Sequence, residues 1–449
     1  MKKIFQYIML AVVTIVMASC TSDIDETTAT TGKNNVQLVV GEFPAFGDSQ
    51  TRAIGTPDEG KTSWAEGDEL LLEIDNTSYG RHNATFTYNG KSWELTSGEL
   101  VYLEGDPAYI SHVYYAPNYK WSNTSLMLKK GKVAGTDELI EGKARITGNG
   151  ETITVSFAEA TRKYSRLRIA TLPNEQITVD TEYFTPAGSS DMEQNGNYTL
   201  TSDEKGNAYL YGTFENNSEV TVKYREAALT TYTFSQATES AKSYALDATV
   251  ISANSAEEIK SAIEQKVADG KTTIRLNLAP NAGTNEFMAI REAIKGAAPN
   301  DLGTIELTII GVETIPEEAF YKMLQLKSVR MSDVKEIKKY AFKECQYLTV
   351  VEAPSLNKLC SGAFKKCDQL AKLTFGPINY ADERNWPIFE YITPNIDLIL
   401  SDYQKEMIET DSYLYTANND RDYAGSDEHN SKNFLGREFK SITCRYRVE

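Results

Sequence analysis

Side chains that commonly carry out chemistry are sparse and scattered in this sequence of 449 residues. Its three histidines are His82, His112 and His429, and its five cysteines are Cys20, Cys345, Cys360, Cys367 and Cys444. No G-x-S-x-G, H-E-x-x-H or Walker pattern is present. The acidic residues are too numerous for any one pair to stand out as a general acid and base. The sequence therefore predicts no enzyme, no metal site and no cofactor.

Cys20 is the cysteine whose surroundings indicate a definite reaction. Two N-terminal lysines precede the apolar run Ile8–Met17, and the small residues Ala18 and Ser19 stand directly before Cys20. Ten residues rise only about 15 Å as a helix, half of a ~30 Å hydrocarbon core, which indicates a signal peptide over residues 1–19 and not a membrane span. The alternative is an ordinary secretory signal with a cysteine near its cleavage site.

The same residues resemble a lipobox, which implies that Cys20 takes a diacylglycerol and then an amide-linked acyl chain such as palmitate. Several acyl chains at one residue give firm anchoring, where one would be marginal. The polar, acidic stretch 21–26 resembles the signal that sends some lipoproteins of Bacteroidetes-type bacteria to the outer face of the outer membrane. We therefore predict a disordered tether over residues 20–35 and a location on the cell outer membrane, facing the exterior.

Composition limits the classes of partner. The chain has 46 lysines and arginines against 63 acidic residues, a net charge of −17, which argues against a phosphate-binding surface and so against nucleic acid. No stretch after the signal reaches the ~18 consecutive apolar residues that a membrane helix needs.

Residues 36–250 have the alternating pattern of short strands separated by turn signals such as Asn89-Gly90. This pattern predicts one or two β-sandwiches, with the domains placed over residues 36–155 and 156–250. Arg166 and Arg168 are two positions apart, which predicts that they lie on the solvated face of a strand. A run of aromatic residues could stack on sugars, but filling or covering a sandwich is the favoured interpretation. Its members are Tyr109, Tyr114, Tyr115, Tyr119 and Trp121.

The first of these regions resembles the N-terminal domain of the Bacteroidetes fimbrillin-like family. The resemblance rests on Thr51-Arg52-Ala53, on Ser63–Asp68 (SWAEGD), on Phe86-Thr87-Tyr88, on Lys91-Ser92-Trp93 and on Tyr115-Ala116-Pro117. It implies transthyretin-like sandwiches in a surface lipoprotein or pilin. Some such pilins are trimmed after an arginine, which frees a groove for a donor strand, and Arg52 lies where such a cut would fall. The favoured interpretation of Arg52 is nonetheless an exposed loop residue.

Residues 251–449 contain the clearest structural signal. A capping-box pattern at Ser255–Glu258 opens a helix to residue 268, and a second helix is predicted over Asn285–Lys295, ended by Gly296. The following segment repeats with a period of 22 residues and no gap, which predicts stacked coils whose apolar edges cover one another. The predicted repeat core consists of Phe320, Phe342, Phe364, Leu326, Leu348 and Leu370.

The repeated pattern I-x-x-x-A-F-x-x-C-x-x-L resembles the BspA-type leucine-rich repeat of bacterial surface proteins. It implies a short α/β solenoid with a helical N-terminal cap and a C-terminal cap. Cys345 and Cys367 occupy one repeat position, where a disulfide is conceivable. Met323 holds that position in the first repeat, which favours a packing role. The acidic segment 420–430 departs from a calcium loop because it lacks the closing glutamate.

Together these patterns predict a multidomain chain, all-β at its N-terminal end and a leucine-rich-repeat solenoid at its C-terminal end. The favoured function is a non-catalytic adhesin or binding protein, held to the membrane by lipid, whose solenoid recognises a protein or glycan ligand on a host or neighbouring cell. The alternative is an anchoring or tip subunit of a pilus, with other pilin subunits as partners through donor-strand exchange.

Overall fold

The computed structural model describes residues 37–44, 46, 61–76, 80–98, 108–123, 125–147, 152–157, 162–253, 255–381, 387–402, 404, 433–435 and 437–446. Cys20, Arg52, the signal segment, the tether and the acidic segment 420–430 lie outside these ranges. Most elements of the described chain are β-strands, and two are long helices. Neither of these helices combines the length and the apolar character needed to cross a membrane.

The chain forms two compact units. The first takes its described residues from Met1–Pro44, Lys61–Lys130 and Leu139–Thr161. The second takes them from Ala45–Gly60, Gly131–Glu138 and Arg162–Glu449. The second β-rich region and the repeats therefore belong to one unit.

The first unit contains a five-stranded sheet of order β4-β3-β2-β5-β8, a three-stranded sheet of order β1-β10-β9 and the hairpin β6-β7. The two larger sheets share one apolar core, to which Leu70, Leu72 and Phe86 contribute from one sheet and Ile153 from the other. The strands are β1 (Gln37–Val40), β2 (Glu69–Asn76), β3 (Gly80–Tyr88), β4 (Trp93–Gly98), β5 (Ala108–Tyr115), β6 (Tyr119–Ser122), β7 (Ser125–Leu128), β8 (Ile140–Glu141), β9 (Lys143–Thr147) and β10 (Thr152–Ser156).

The second unit opens with a seven-stranded sheet of order β16-β15-β12-β14-β11-β17, in which β13 also pairs with β12. Its strands are β11 (Ser165–Ala170), β12 (Gln176–Pro186), β13 (Glu193–Thr201), β14 (Asn207–Phe214), β15 (Glu219–Tyr224), β16 (Ala227–Thr233) and β17 (Ser243–Asp247). Every second residue is buried along β15 and along β12 as far as Thr181, as expected where one face of a strand is buried.

Two helices follow. Helix α1 (Ala256–Ala268) begins at Ser255, whose side chain accepts a hydrogen bond from the backbone of Glu258, and its Ile259 and Ile263 are buried. Helix α2 spans Thr284–Ala297 and buries a stripe that includes Phe287. The prediction that Gly296 ends this helix is wrong. The helix continues one residue further because the buried Ala298 closes it by donating its N–H to Ile294 O.

The rest of the unit consists mainly of two parallel sheets built from the repeats. The larger has eight strands in the order β18-β19-β20-β22-β24-β26-β28-β31, and the smaller has four in the order β21-β23-β25-β27. A two-stranded pair, β29-β30, lies near the end. The strands are β18 (Ile251–Ala253), β19 (Thr273–Leu278), β20 (Ile305–Ile310), β21 (Thr314–Ile315), β22 (Leu326–Met331), β23 (Glu336–Ile337), β24 (Val350–Ala353), β25 (Lys358–Leu359), β26 (Lys372–Phe375), β27 (Tyr380–Ala381), β28 (Asp397–Ser401), β29 (Asn433–Phe434), β30 (Arg437–Glu438) and β31 (Ser441–Tyr446).

A stack of phenylalanine rings runs through the core of the repeats. The ring of Phe342 lies 5.1 Å from that of Phe320 and 5.4 Å from that of Phe364, centroid to centroid, with interplanar angles of 21° and 6°. All three side chains are fully buried, as are Leu326 and Leu348. One repeat cannot remove its own apolar edge from water, so each ring is covered by the rings of its neighbours.

Candidate binding surface

The outward side of the eight-stranded sheet is a regular, largely polar surface of the repeats. Alternate residues of each strand, such as Leu307, Val329, Val351 and Leu373, point into the apolar core. The residues between them therefore point to the opposite side. We call this side the sheet face.

Parallel pairing aligns the outward residues into rows that cross the strands. Each row places side chains of successive strands about 4.8 Å apart, which is the spacing between hydrogen-bonded strands. One row consists of Arg275, Thr308, Arg330, Glu352, Thr374, Ile399 and Thr443. The second consists of Glu306, Ser328, Val350, Lys372, Asp397 and Ser441.

Ion pairs between strands hold the charged side chains of the sheet face in place. Arg330 Nε lies 2.9 Å from Glu352 Oε2, and Lys372 Nζ lies 3.8 Å from the other oxygen of the same carboxylate. Asp397 accepts hydrogen bonds from Ser441 Oγ at 2.6 Å and from Lys440 Nζ at 3.0 Å. These two hydrogen bonds lower the pKa of Asp397 below its ordinary value. Such exposed pairs add little stability, but they limit the positions available to the side chains.

The N-terminal end of the sheet face is covered within the second unit. The Arg275 guanidinium is buried, and its Nε donates a hydrogen bond to the backbone oxygen of Leu229 in strand β16. Ile310 packs into the core of the seven-stranded sheet. The part of the sheet face that remains available to a partner therefore begins near Arg330.

The repeat cysteines are placed for packing. Cys345 and Cys367 are free thiols and fully buried. Their Sγ atoms donate hydrogen bonds to Phe320 O at 2.9 Å and to Phe342 O at 3.0 Å, so each thiol joins its repeat to the preceding one. Burial raises the pKa of Cys345 to about 12 and that of Cys367 well above its ordinary value. At neutral pH neither is a thiolate nucleophile.

The prediction that Arg166 and Arg168 lie on a solvated face is wrong. Every residue of β11 is buried, and the two arginines are only 2% and 8% exposed. Arg166 donates from Nε to Ser243 Oγ at 2.9 Å, and its guanidinium lies 4.7 Å from the centroid of the Phe46 ring. A residue more than a hundred positions away thus covers the strand face that the pattern assigned to water.

A buried ion pair lies in the same cluster. Arg162, which is fully buried, donates from Nη2 to Glu138 Oε1 at 3.1 Å and from Nε to Glu138 Oε2 at 2.9 Å. Tyr164 also donates to Glu138, and the ring of Phe46 lies 4.0 Å from the Arg162 guanidinium. Burial raises the pKa of Glu138 above its ordinary value, although Arg162 opposes that shift. Sequence reasoning missed this pair because its members are 24 positions apart and belong to no motif.

The aromatic run of the first unit is divided between core and surface. Tyr115 and Tyr119 are buried, Tyr114 and Trp121 are half-buried, and Tyr109 is exposed. No single platform of five rings is formed. Within the described ranges, no group of three or more histidine, cysteine or acidic side chains is placed to hold a metal ion.

Part of the C-terminal half matches a known repeat family. The model of the BspA type leucine rich repeat region matches residues 301–404, in six copies. These residues carry both parallel sheets of the repeats from β20 to β28. The chain is thus mostly β, with a β-rich N-terminal region and C-terminal repeats similar to the BspA type.

The comparison with solved structures gives weaker similarities. A candidate cell adhesion protein of Bacteroides fragilis NCTC 9343 is 10% identical, covers 48% of this chain and 92% of its own, and superposes with a TM-score of 0.26. A minor pilin of Streptococcus agalactiae is 8% identical, covers 48% of this chain and 94% of its own, and has a TM-score of 0.17. TM-scores this low support no statement about this chain. No curated protein matches it.

Proposed function

We propose that this chain is a non-catalytic adhesin or binding protein, anchored by lipid at Cys20 to the outside of the outer membrane. In this proposal, two transthyretin-like sandwiches act as a stalk, and the repeats form a short solenoid that recognises a ligand. The match of residues 301–404 to BspA-type repeats supports the solenoid. The signal segment and the residues before Cys20 support export and lipidation.

The properties of the sheet face are the main support for ligand binding by the repeats. It is an ordered surface on a rigid parallel sheet, and side chains of five strands from β22 onward contribute to it. Val350 and Ile399 place apolar groups among the ion pairs, so the face combines apolar contact area with polar groups whose positions are fixed. A preorganised surface loses less conformational entropy on binding than a flexible one.

The test compares two double variants of the full chain displayed on cells. Val350→Glu with Ile399→Glu places two carboxylates on the sheet face. Gln346→Glu with Gln369→Glu adds the same charge at exposed positions away from it. Binding is measured to immobilised matrix proteins, mucin glycans and neighbouring bacterial cells.

We expect the first double variant to lose binding and the second to keep it, with similar thermal unfolding of both. Equal binding by both would reject the sheet face as the binding surface. An absence of binding across the whole panel would count against the adhesin itself.

Anchoring is tested separately. Cells grown with labelled palmitate should label the wild-type chain and not Cys20→Ser, and protease added to intact cells should remove the chain. A pilus subunit would instead form a ladder that resists detergent and would lack the residues up to and including Arg52. A trimmed, laddered product from native cells would overturn the adhesin proposal in favour of the pilus.

A further inference from the structure

Three lysines and two tyrosines of the repeats form an alternating contact series, which we call the Lys–Tyr row. The Nζ atom of Lys343 lies 5.0 Å from the ring centroid of Tyr321 and 4.7 Å from that of Tyr340. Lys322 lies 5.1 Å from the Tyr321 ring, and Lys339 lies 4.8 Å from the Tyr340 ring. Each tyrosine therefore has two ammonium groups within cation–π distance.

The repeat backbone fixes these side chains. Tyr321 and Lys343 occupy the same repeat position, 22 residues apart. The N–H of Lys322 donates to Lys343 O at 2.9 Å, which joins the two repeats. Lys322 and Tyr340 have φ values of 54° and 58°, a left-handed conformation that residues with a Cβ rarely adopt. The row is thus held by two successive repeats and does not depend on a mobile loop.

The row is positively charged in a chain that is strongly negative. The three repeats over residues 311–376 contain 11 lysines and arginines and 8 acidic residues, whereas the whole chain has a net charge of −17. Within the row, the Glu344 carboxylate lies 3.6 Å from Lys322 Nζ and 3.8 Å from Lys343 Nζ. One carboxylate therefore faces two of the three ammonium groups, and positive charge remains.

Helix α2 adds to this charge. Lys295 has a lowered pKa, first because it is partly buried and then because Arg291 and Lys322 are positive. The side chain of Arg291 donates a hydrogen bond to the backbone oxygen of Glu318, which lies three residues before Tyr321 of the row. Like charges repel one another, and a bound anion would relieve that repulsion.

We propose that the Lys–Tyr row binds an anionic polysaccharide. Its ammonium groups would pair with carboxylate or sulfate groups, and its tyrosine rings would pack against the pyranose rings between them. The row contains lysines and no arginine, and so lacks the planar fork that recognises phosphate at two points. This inference goes beyond the proposed function, because it adds a second binding surface apart from the sheet face and names the class of ligand that binds there.

The charge test uses two triple variants of the full chain with the same change in net charge. Lys322→Gln, Lys339→Gln and Lys343→Gln remove the positive charges of the row. The matched control removes three lysines of the same repeats that form ion pairs elsewhere, by Lys327→Gln, Lys335→Gln and Lys358→Gln. The probes are heparin, which carries sulfate, hyaluronate, which carries only carboxylate, and neutral dextran.

We expect the row variant to bind heparin or hyaluronate at least about tenfold more weakly, since three ion contacts with the ligand are lost. The control should change by less than about threefold. Because heparin carries carboxylate as well as sulfate groups, tighter binding of heparin than of hyaluronate would show that sulfate groups contribute, and equal binding would show that carboxylate groups suffice. Equal losses of binding in the two triple variants would mean that only the overall charge matters, and would overturn the inference. Binding of the wild-type chain to dextran as tight as to the anionic probes would also overturn it.

A second pair of measurements tests the rings. Tyr321→Leu with Tyr340→Leu should weaken binding to the anionic polysaccharide and leave binding to inorganic polyphosphate unchanged, because polyphosphate has no sugar ring to stack. A loss for both probes would reject the stacking role. If the Lys–Tyr row variants bind normally while the sheet-face variant loses binding, this inference fails and the proposed function stands.

Discussion

Replacing Glu318 by glycine should stabilise the repeats. Glu318 is exposed and has a φ of 56°, and its N–H donates to Lys339 O at 3.1 Å. The left-handed conformation costs a residue with a Cβ about 1–2 kcal/mol. Glycine avoids that cost but loses about 0.5–1 kcal/mol of additional chain entropy on folding. We therefore expect a net gain of about 0.5–1 kcal/mol.

The third repeat gives a natural precedent for this change. Gly362 stands 44 residues after Glu318, at the same repeat position, and has a φ of 62°. The three hydrogen bonds of the main chain at position 318 remain in the variant, because its N–H still donates to Lys339 O and its oxygen still accepts from Tyr321 and Arg291. The change in the free energy of unfolding therefore reports the cost of the left-handed backbone conformation at position 318.

The assay is urea unfolding of the full chain, together with calorimetry. A gain of this size should raise the melting temperature of the repeats by about 1–4 °C. The neighbouring Glu317→Gly is the matched control, because Glu317 is exposed and does not have a positive φ. It should lose about 0.5–1 kcal/mol. Gly362→Ala should lose about 0.5–1 kcal/mol, because the strain of a left-handed alanine is partly offset by the smaller chain entropy lost on folding. If Glu318→Gly destabilises the repeats as much as Glu317→Gly, the backbone argument is refuted.

Three further changes test the buried contacts. Phe342→Ala should lower the free energy of unfolding in urea by about 3–5 kcal/mol, because removing a ring that lies between two stacked rings leaves a cavity. Tyr380→Ala, at an exposed position, should lower it by less than about 1 kcal/mol. The Cys345 thiol, whose pKa rises from 9.0 to about 12, keeps its proton in the folded state while the unfolded chain loses it. Its contribution to stability is thus present below about pH 9 and lost as the pH rises toward about 12. The urea concentration at the unfolding midpoint should therefore fall above about pH 9, and it should fall less steeply in Cys345→Ala. Glu138→Ala should cost about 3–5 kcal/mol because it leaves a buried guanidinium unpaired, while Glu313→Ala, at an exposed ion pair, should stay within about 1 kcal/mol. An equal loss for these two glutamates would contradict the burial argument.

The repeats could be predicted because their signal is local and recurs. Strands such as Val329–Met331 and Leu373–Phe375 lie inside observed strands, since each position is constrained in every repeat. The next ring of the stack was missed. Phe389 lies 5.7 Å from Phe364 with an interplanar angle of 9°, but it follows after 25 residues and not 22. Three additional residues break the period without breaking the packing.

The buried arginines could not be predicted for a different reason. Two-residue alternation assigns one strand face to the core and the other to water, which holds only if nothing else covers the second face. Phe46 and Tyr209 cover Arg166, and Phe46 belongs to a segment far away in the sequence. The sequence of the strand does not reveal that this distant residue covers it. The same limit applies to the Lys–Tyr row, whose two halves come together through the contact of Lys343 with Tyr321 only once the repeats are stacked.

The ends of the ring stack explain why the repeats need flanking segments of different sequence. Inside the stack, successive rings are nearly parallel, because each repeat places its phenylalanine on the same position of the next rung. At one end, Phe287 of helix α2 meets Phe320 at 75°, and at the other, Phe439 meets Phe389 at 89°. An edge-on ring covers the last face of the stack without offering a parallel face for another repeat to join. The two edge-on rings therefore remove the ends of the apolar core from water and also stop the array from extending, as capping segments of repeat proteins must.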